Sequence, residues 1–150
     1  MNILKKMLII TLMLFSSFSI CFADVFDDNT SQYIPIGSTM DLKEYLDINS
    51  VQVIRYDPPY YIIQADAIVK YYTHGTILRI TSKYFYNYNT KVIQAQDLSM
   101  IACNENGETQ GNVVSANSTV WNIRWDNPRY KEADLIFKKA YDIPFNNIVN

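Results

Sequence analysis

Apolar and polar residues alternate with the period of strands through most of the chain and with that of a helix only near its end. From Tyr60 to Tyr72, residues Tyr61, Ile63, Ala65, Ala67, Val69 and Tyr71 form one row, and Gln64, Asp66 and Lys70 fall on the other. Such alternation describes a half-buried strand. The period returns from Leu78 to Tyr88, with Leu78, Ile80, Ser82, Tyr84, Tyr86 and Tyr88 set against Arg79, Thr81, Lys83 and Asn87. A two-residue turn at His74-Gly75 would bring the two apolar rows onto one face. It would pair Tyr71 with Leu78, Val69 with Ile80, Ala65 with Tyr84, Ile63 with Tyr86 and Tyr61 with Tyr88. In that register Asp66 stands opposite Lys83, a favourable pair, while Lys70 stands opposite Arg79 and needs an acidic neighbour or an anionic partner.

A turn at Asn89-Thr90 leads into a further strand from Lys91 through Cys103. Ile93 and Ala95 face inward there, and strict alternation would carry Asp97 into the core. A bulge near Gln96 or Asp97 is therefore expected, after which Leu98, Met100 and Ala102 take over the buried face. Asn106-Gly107 is the strongest turn signal and should return the strand Thr109 to Val114. Upstream, Tyr33 to Ile36 and Val51 to Tyr56 read as short strands, the second closed by Asp57-Pro58-Pro59. Between them Ser38-Thr39-Met40-Asp41 has capping-box spacing ahead of Leu42, Tyr45 and Leu46, which predicts a short helical turn. Near the end Asp126 or Asn127 can cap a helix with Pro128 in its first turn. Tyr130, Ala133, Phe137, Ala140 and Tyr141 recur on one stripe, Arg129, Lys131, Glu132, Asp134, Lys138 and Lys139 take much of the rest, and Pro144 stops it. The expected fold is α+β: an antiparallel β-meander sheet of about five or six strands with a C-terminal helix packed on one face.

The chain has 150 residues, 49% hydrophobic and 19% charged, enough for one ordinary domain. Residues 1–23 have the organisation of a signal peptide: Lys5 and Lys6, the apolar run Met7 to Phe15, and a small-residue stretch ending at Cys21-Phe22-Ala23. The run is too short and wrongly flanked for a membrane span, so export to the periplasm, the cell surface or the medium is expected. Residues 24–31 read as an acidic flexible tail, and 32–150 as a single α+β domain. Lipid anchoring through Cys21 is the rival reading, weakened by Ile20 where a small residue is needed. Removing the two leader lysines leaves 11 of the 13 basic residues against 15 acidic ones, a net charge of −4 that argues against nucleic acid as a partner. Cleavage after Ala23 leaves Cys103 as the lone thiol, and its neighbours Ile101 and Ala102 mark it as a small buried hydrophobe.

Little in the chain suits catalysis, so no cofactor and no enzymatic activity are expected. The only histidine, His74, falls at a hairpin tip, and a Cys103/His74 dyad lacks an orienting third group. One histidine and one cysteine cannot make a structural zinc site. Asp41, Glu44, Asp47 and Asn49 lack the glycine turn and terminal glutamate of an EF-hand and read as a solvated turn. Glycine-rich phosphate loops are missing from the sequence, and Pro58-Pro59-Tyr60-Tyr61, although it matches the Pro-Pro-x-Tyr ligand of WW domains, reads as a turn. Tyrosine is abundant instead, with twelve in the chain. Tyr84, Tyr86 and Tyr88 are assigned to the core. On the opposite face Ile62, Ile68, Tyr72 and Phe85, beside Lys70, Arg79 and Lys83, form a candidate interaction surface, together with Tyr60 and Ile77.

Tyr45-Leu46-Asp47-Ile48-Asn49-Ser50-Val51, the strand pair after it, Asn106-Gly107-Glu108 and the terminal helix with Ala133 and Phe137 resemble the surface-adhesin protein E-like domains, small exported bacterial proteins. In those domains an Asp-x-x-Ser-Val/Ile step opens the sheet, an Asn/Asp-Gly turn precedes the last strands and a helix packs on the sheet. The likeness spans most of residues 33–145, and no binding loop of the family is matched. The resemblance implies a surface or envelope role, with host extracellular or envelope proteins as partners. The leading expectation is a non-enzymatic exported binding or adhesion module. The alternatives are a structural envelope component that self-associates through a sheet edge or the Tyr/Ile stripe, and a small hydrolase or inhibitor of unrecognised type.

Overall fold

The computed structural model describes residues 24–116 and 118–146, so the leader, with Cys21, lies outside it. A short helix α1 (Val25–Asp28) is followed by strands β1 (Tyr33–Ser38), β2 (Leu42–Asp57), β3 (Tyr60–Tyr71), β4 (Thr76–Asn87), β5 (Val92–Cys103), β6 (Thr109–Ser115) and β7 (Trp121–Ile123), and then by helix α2 (Pro128–Tyr141). The strands form one antiparallel sheet in chain order from β1 to β6, with β7 pairing β5 beside β6. This is the expected α+β meander, with α2 against β1, β2 and β3. None of the described helices is long and apolar enough to cross a membrane.

Both faces of the sheet are used, because the apolar residues of β3 to β5 do not all fall on one side. The inner face carries Ile63, Ala65, Tyr84, Tyr86, Ile93 and Ala95, on which α2 lays Ala133, Ile136 and Phe137, closed by Phe145 beyond its end. Phe137 sits among Tyr61, Tyr86, Tyr88, Tyr141 and Phe145, with ring centroids 4.8–5.8 Å away, separations at which aromatic pairs attract beyond their area burial. Asn127 caps the helix by accepting from Arg129 N at 2.9 Å. The chain leaves it through Asp142 in the left-handed region.

The outer face holds a second, smaller cluster. Phe26 of α1, fully buried, packs with Tyr33, Tyr45, Ile68, Ile77 and Cys103. Residues 24–31 are thus no free tail. Asp24 caps α1 by accepting from Phe26 N and pairs with Lys70, while Asp27 pairs with Lys43 and accepts from Tyr45 Oη at 2.8 Å. The acidic residues that made this segment look solvated are the ones that fasten it. Gly107 lies against the same cluster at φ +79°, and a β-carbon there would come within 3.3 Å of the Tyr33 hydroxyl. Cys103, only 6% exposed, is the small buried group expected. Truncating Phe26 to alanine should therefore make the Cys103 thiol react with a disulfide reagent at least about tenfold faster at a pH where the fold persists. Unchanged reactivity would mean that α1 does not shield it.

Three local expectations are corrected. The β3–β4 connection is a four-residue loop, Tyr72 to Gly75, with Gly75 at φ +59°. Tyr71 therefore faces Thr76, Val69 faces Leu78 and Ile63 faces Tyr84. This register is two residues from the expected one, and an even shift leaves every side chain on its assigned face. Lys83 now stands opposite Gln64, and Lys70 opposite Ile77. Secondly, the segment from Leu42 is strand and not helix: Tyr45 and Leu46 are both fully buried but in clusters on opposite faces, which only an extended backbone allows. Thr39 Oγ1 accepts from the amides of Asp41 and Leu42, so the capping spacing closes the β1–β2 turn. Thirdly, the β5 bulge falls between Asp97 and Ser99, beside the expected place, and sets Met100 and Ala102 opposite Ile80 and Leu78 as expected, but it leaves Asp97 opposite Ser82 on the inner face. Asp97 faces α2 and is held by Arg129.

Candidate interaction surface

The seven residues expected to form an exposed stripe share the outer face or its adjoining loop, but the docked N-terminal segment divides them. Ile68 is fully buried beneath Phe26. Lys70 is taken by Asp24. Arg79 Nη1 donates to Asp47 Oδ2 at 2.9 Å and Asp66 Oδ2 at 3.1 Å, and Thr81 donates to Asp66 Oδ1 at 2.8 Å. Burial opposes the Arg79 charge, but these hydrogen bonds outweigh it and raise its pKa above the usual guanidinium value. The acidic neighbours that Lys70 and Arg79 required are supplied from within the chain. Close by, hydrogen bonding to Lys43 holds the Asp27 carboxyl below its ordinary range. Asp47, 4% exposed and bonded to Arg79, also accepts from Gln32 Nε2 at 3.2 Å, so it is structural and not part of a solvated turn. Among the described residues no group of three His, Cys, Asp or Glu is placed to hold a metal ion.

Ile62, Lys83 and Phe85 remain on the uncovered half of the outer face, each partly exposed. Ile62 and Phe85 are direct cross-strand partners, as are Phe85 and Gln94. Beside them Tyr60 and Val92 are 53% and 43% exposed. A shallow groove of about 240 Å³ runs between Tyr60, Phe85, Asn87, Val92 and Gln94. Tyr72, 49% exposed, lies apart in the β3–β4 loop. Strand alternation identified the face. It could not show which half the N-terminal residues would cover, because those residues carry no periodic signal.

Polar chemistry that the sequence reading left in solvent is found under α2. Arg129 donates to Asp97 Oδ1 at 2.6 Å, where Ser82 Oγ also donates at 2.7 Å. The same guanidinium is 3.9 Å from Glu132 Oε2. Glu132 is 2% exposed, its Oε1 has no hydrogen-bond partner, and neither has the nearby Tyr84 hydroxyl. Two carboxylates share one guanidinium and Asp97 holds the better contact, so burial dominates at Glu132 and pushes its pKa up to about 7. Tyr84 is raised well above its ordinary value, again mainly by burial. A carboxyl in this range has the titration expected of a general acid, but one so deeply enclosed cannot touch a substrate. Its place is structural, between helix and sheet.

Fold and surface together define a sheet-and-helix domain in which α2 covers the β1–β3 part of one sheet face and residues 24–33 cover half of the other. Comparison with protein-family models, with curated proteins and with solved structures found no match.

Proposed function

We propose that the protein is an exported, non-enzymatic binding or adhesion module of the bacterial surface or envelope, which holds a partner protein on the open half of its outer sheet face. The observation that carries this reading is the cross-strand patch of Tyr60, Ile62, Phe85 and Val92, left uncovered where the same face is sealed by Phe26 further along. Uncovered apolar and aromatic groups rimmed by Lys83, Gln94 and Asn87 have the make-up of an interface: an apolar centre with a polar edge. The signal-like residues 1–23 support export, and the resemblance to surface-adhesin protein E-like domains supports a surface role with host extracellular or envelope proteins as partners.

The test is capture of extracellular-matrix and envelope proteins by the immobilised mature domain, with the double substitution Ile62→Lys and Phe85→Lys as control. Both side chains are partly exposed, so the variant should keep the parent circular dichroism and melting temperature while losing capture by at least about tenfold. Equal capture by parent and variant would remove this face as the site. Ile68→Lys is unsuited to the purpose, because it would place a charge beneath Phe26 and unfold that cluster.

A further inference from the structure

A second groove, of about 400 Å³, lies around the sheet edge from the open face, where β7 pairs with the start of β5. It adjoins the first: Val92 lines both, and the Gln94 side chain of the outer groove donates to Asn122 Oδ1 of this one at 2.9 Å. At its rim stands Trp125, 78% exposed, and its walls include Lys91, Arg124, Tyr130, Asn122 and Asn146. An indole so exposed is unusual, since so large an apolar surface is ordinarily at least partly packed. Among the described residues two cations line the groove and no carboxylate does, although the chain as a whole carries more acidic than basic residues.

We propose that this groove binds an anionic saccharide, with a carboxylated sugar ring lying on the Trp125 face. Each part of the lining matches one part of such a ligand. The flat indole suits the apolar C–H face of a pyranose, as aromatic faces suit amphipathic partners generally. The Asn122 and Asn146 side chains offer both donors and acceptors, as sugar hydroxyls do. Among the described residues Arg124 is held only by an exposed 3.4 Å contact from its Nε to Asp126, which leaves its other guanidinium nitrogens for a carboxylate. Lys91 is preset: its ammonium lies 3.3 Å from the centre of the Tyr88 ring and donates to Phe145 O at 2.7 Å. The volume suits one or two sugar rings. This inference rests on the protein being a binding module but not on the protein-partner face, with which the groove shares only Val92.

The experiment is titration of the mature domain with a hyaluronan hexasaccharide, which is carboxylated, alongside dextran oligosaccharide, which is neutral, and sulfated dextran, which is charged but of different chemistry. Binding of the hyaluronan fragment, lost with neutral dextran and weakened as salt is raised, is expected. Trp125→Ala should weaken it at least about tenfold, and Arg124→Ala should weaken it and flatten the salt dependence. Both side chains are largely exposed, so both variants should fold. No binding of the fragment, equal binding of sulfated dextran, or an unchanged affinity in Trp125→Ala would each overturn the proposal. The Ile62→Lys/Phe85→Lys variant should bind the fragment normally, which separates failure at this groove from failure at the protein-binding face.

Discussion

Truncation of Tyr86 to alanine is expected to destabilise the domain by about 3–5 kcal/mol. The ring is 2% exposed, with its centroid 5.0 Å from that of Phe137 and 5.2 Å from that of Phe145, and its hydroxyl donates to Ala133 O at 2.9 Å. The substitution removes the apolar area, opens a cavity that rigid strand and helix backbones cannot close, and leaves a helical carbonyl without its extra donor. Tyr86→Phe removes the hydroxyl alone and should cost about 1 kcal/mol. Since domains are commonly stable by only about 5–15 kcal/mol, the alanine variant should melt more than about 10 °C below the parent. Thermal unfolding followed by circular dichroism distinguishes the cases. A loss below about 0.5 kcal/mol for Tyr86→Ala would place this residue on the solvent side and put the β4 register out by one.

Arg129→Met is expected to have an effect of similar size with a different signature. Methionine keeps much of the packing volume but strands Asp97 and Glu132 under the helix, and breaking a buried ion pair from one side typically costs about 3–5 kcal/mol. The loss should be larger at pH 8 than at pH 5, because protonating Glu132 removes one of the two stranded charges. In the parent protein the Glu132 pKa of about 7 lies above its ordinary 4.5. The folded state therefore holds this proton more tightly than the unfolded chain. The resulting stabilisation is complete below about pH 4.5, declines as pH rises and is gone above about pH 7, on the order of 3 kcal/mol between the limits. Glu132→Gln should flatten that window and make the domain more stable than the parent at pH 8. Urea-unfolding midpoints from pH 4.5 to 8 measure both variants, and parallel profiles for parent and Glu132→Gln would show that the carboxyl does not titrate there.

Strand period, turn chemistry and the capped helix were enough to place the sheet, its order and its helical cover, because each rests on short-range rules that the residues obey. The β3–β4 register missed by two because loop length is a weak signal while face assignment is a strong one. Tyr45-Leu46 does not reveal its strand in the sequence, because adjacent apolar residues fit one helical stripe as readily as two faces of a strand buried on both sides. The buried polar cluster was legible in principle. Arg129, Glu132, Ala133, Ile136, Phe137 and Ala140 recur at intervals of three and four, so the apolar stripe had two charged members. Asp97 was the one charged residue that alternation drove inward from β5. Arg129 on the stripe and Asp97 on the strand are opposite in sign and on elements that must pack together, so they predict each other. The interaction surface was legible only as a face, since its limits depend on where a non-periodic segment docks.

That docking gives the domain two tiers of cohesion. The α2 side is a large aromatic core, whereas the α1 side depends on one phenylalanine and a few ion pairs, which salt weakens more readily than it weakens apolar packing. Detachment of α1 is therefore a sub-global opening that leaves the sheet and helix assembled. In hydrogen exchange the amides of residues 25–29 should trade early, while those at the centre of β3 and β4 stay protected by their own ladder. With α1 lifted, Ile68 and Ile77 would be uncovered as a second apolar patch, separated from Ile62 and Phe85 by the polar belt of Gln64, Asp66, Arg79, Thr81 and Lys83. The nine residues from Asp24 to Gln32 thus set how adhesive the whole outer face is, and ionic strength is the variable to hold fixed whenever the protein is found to associate.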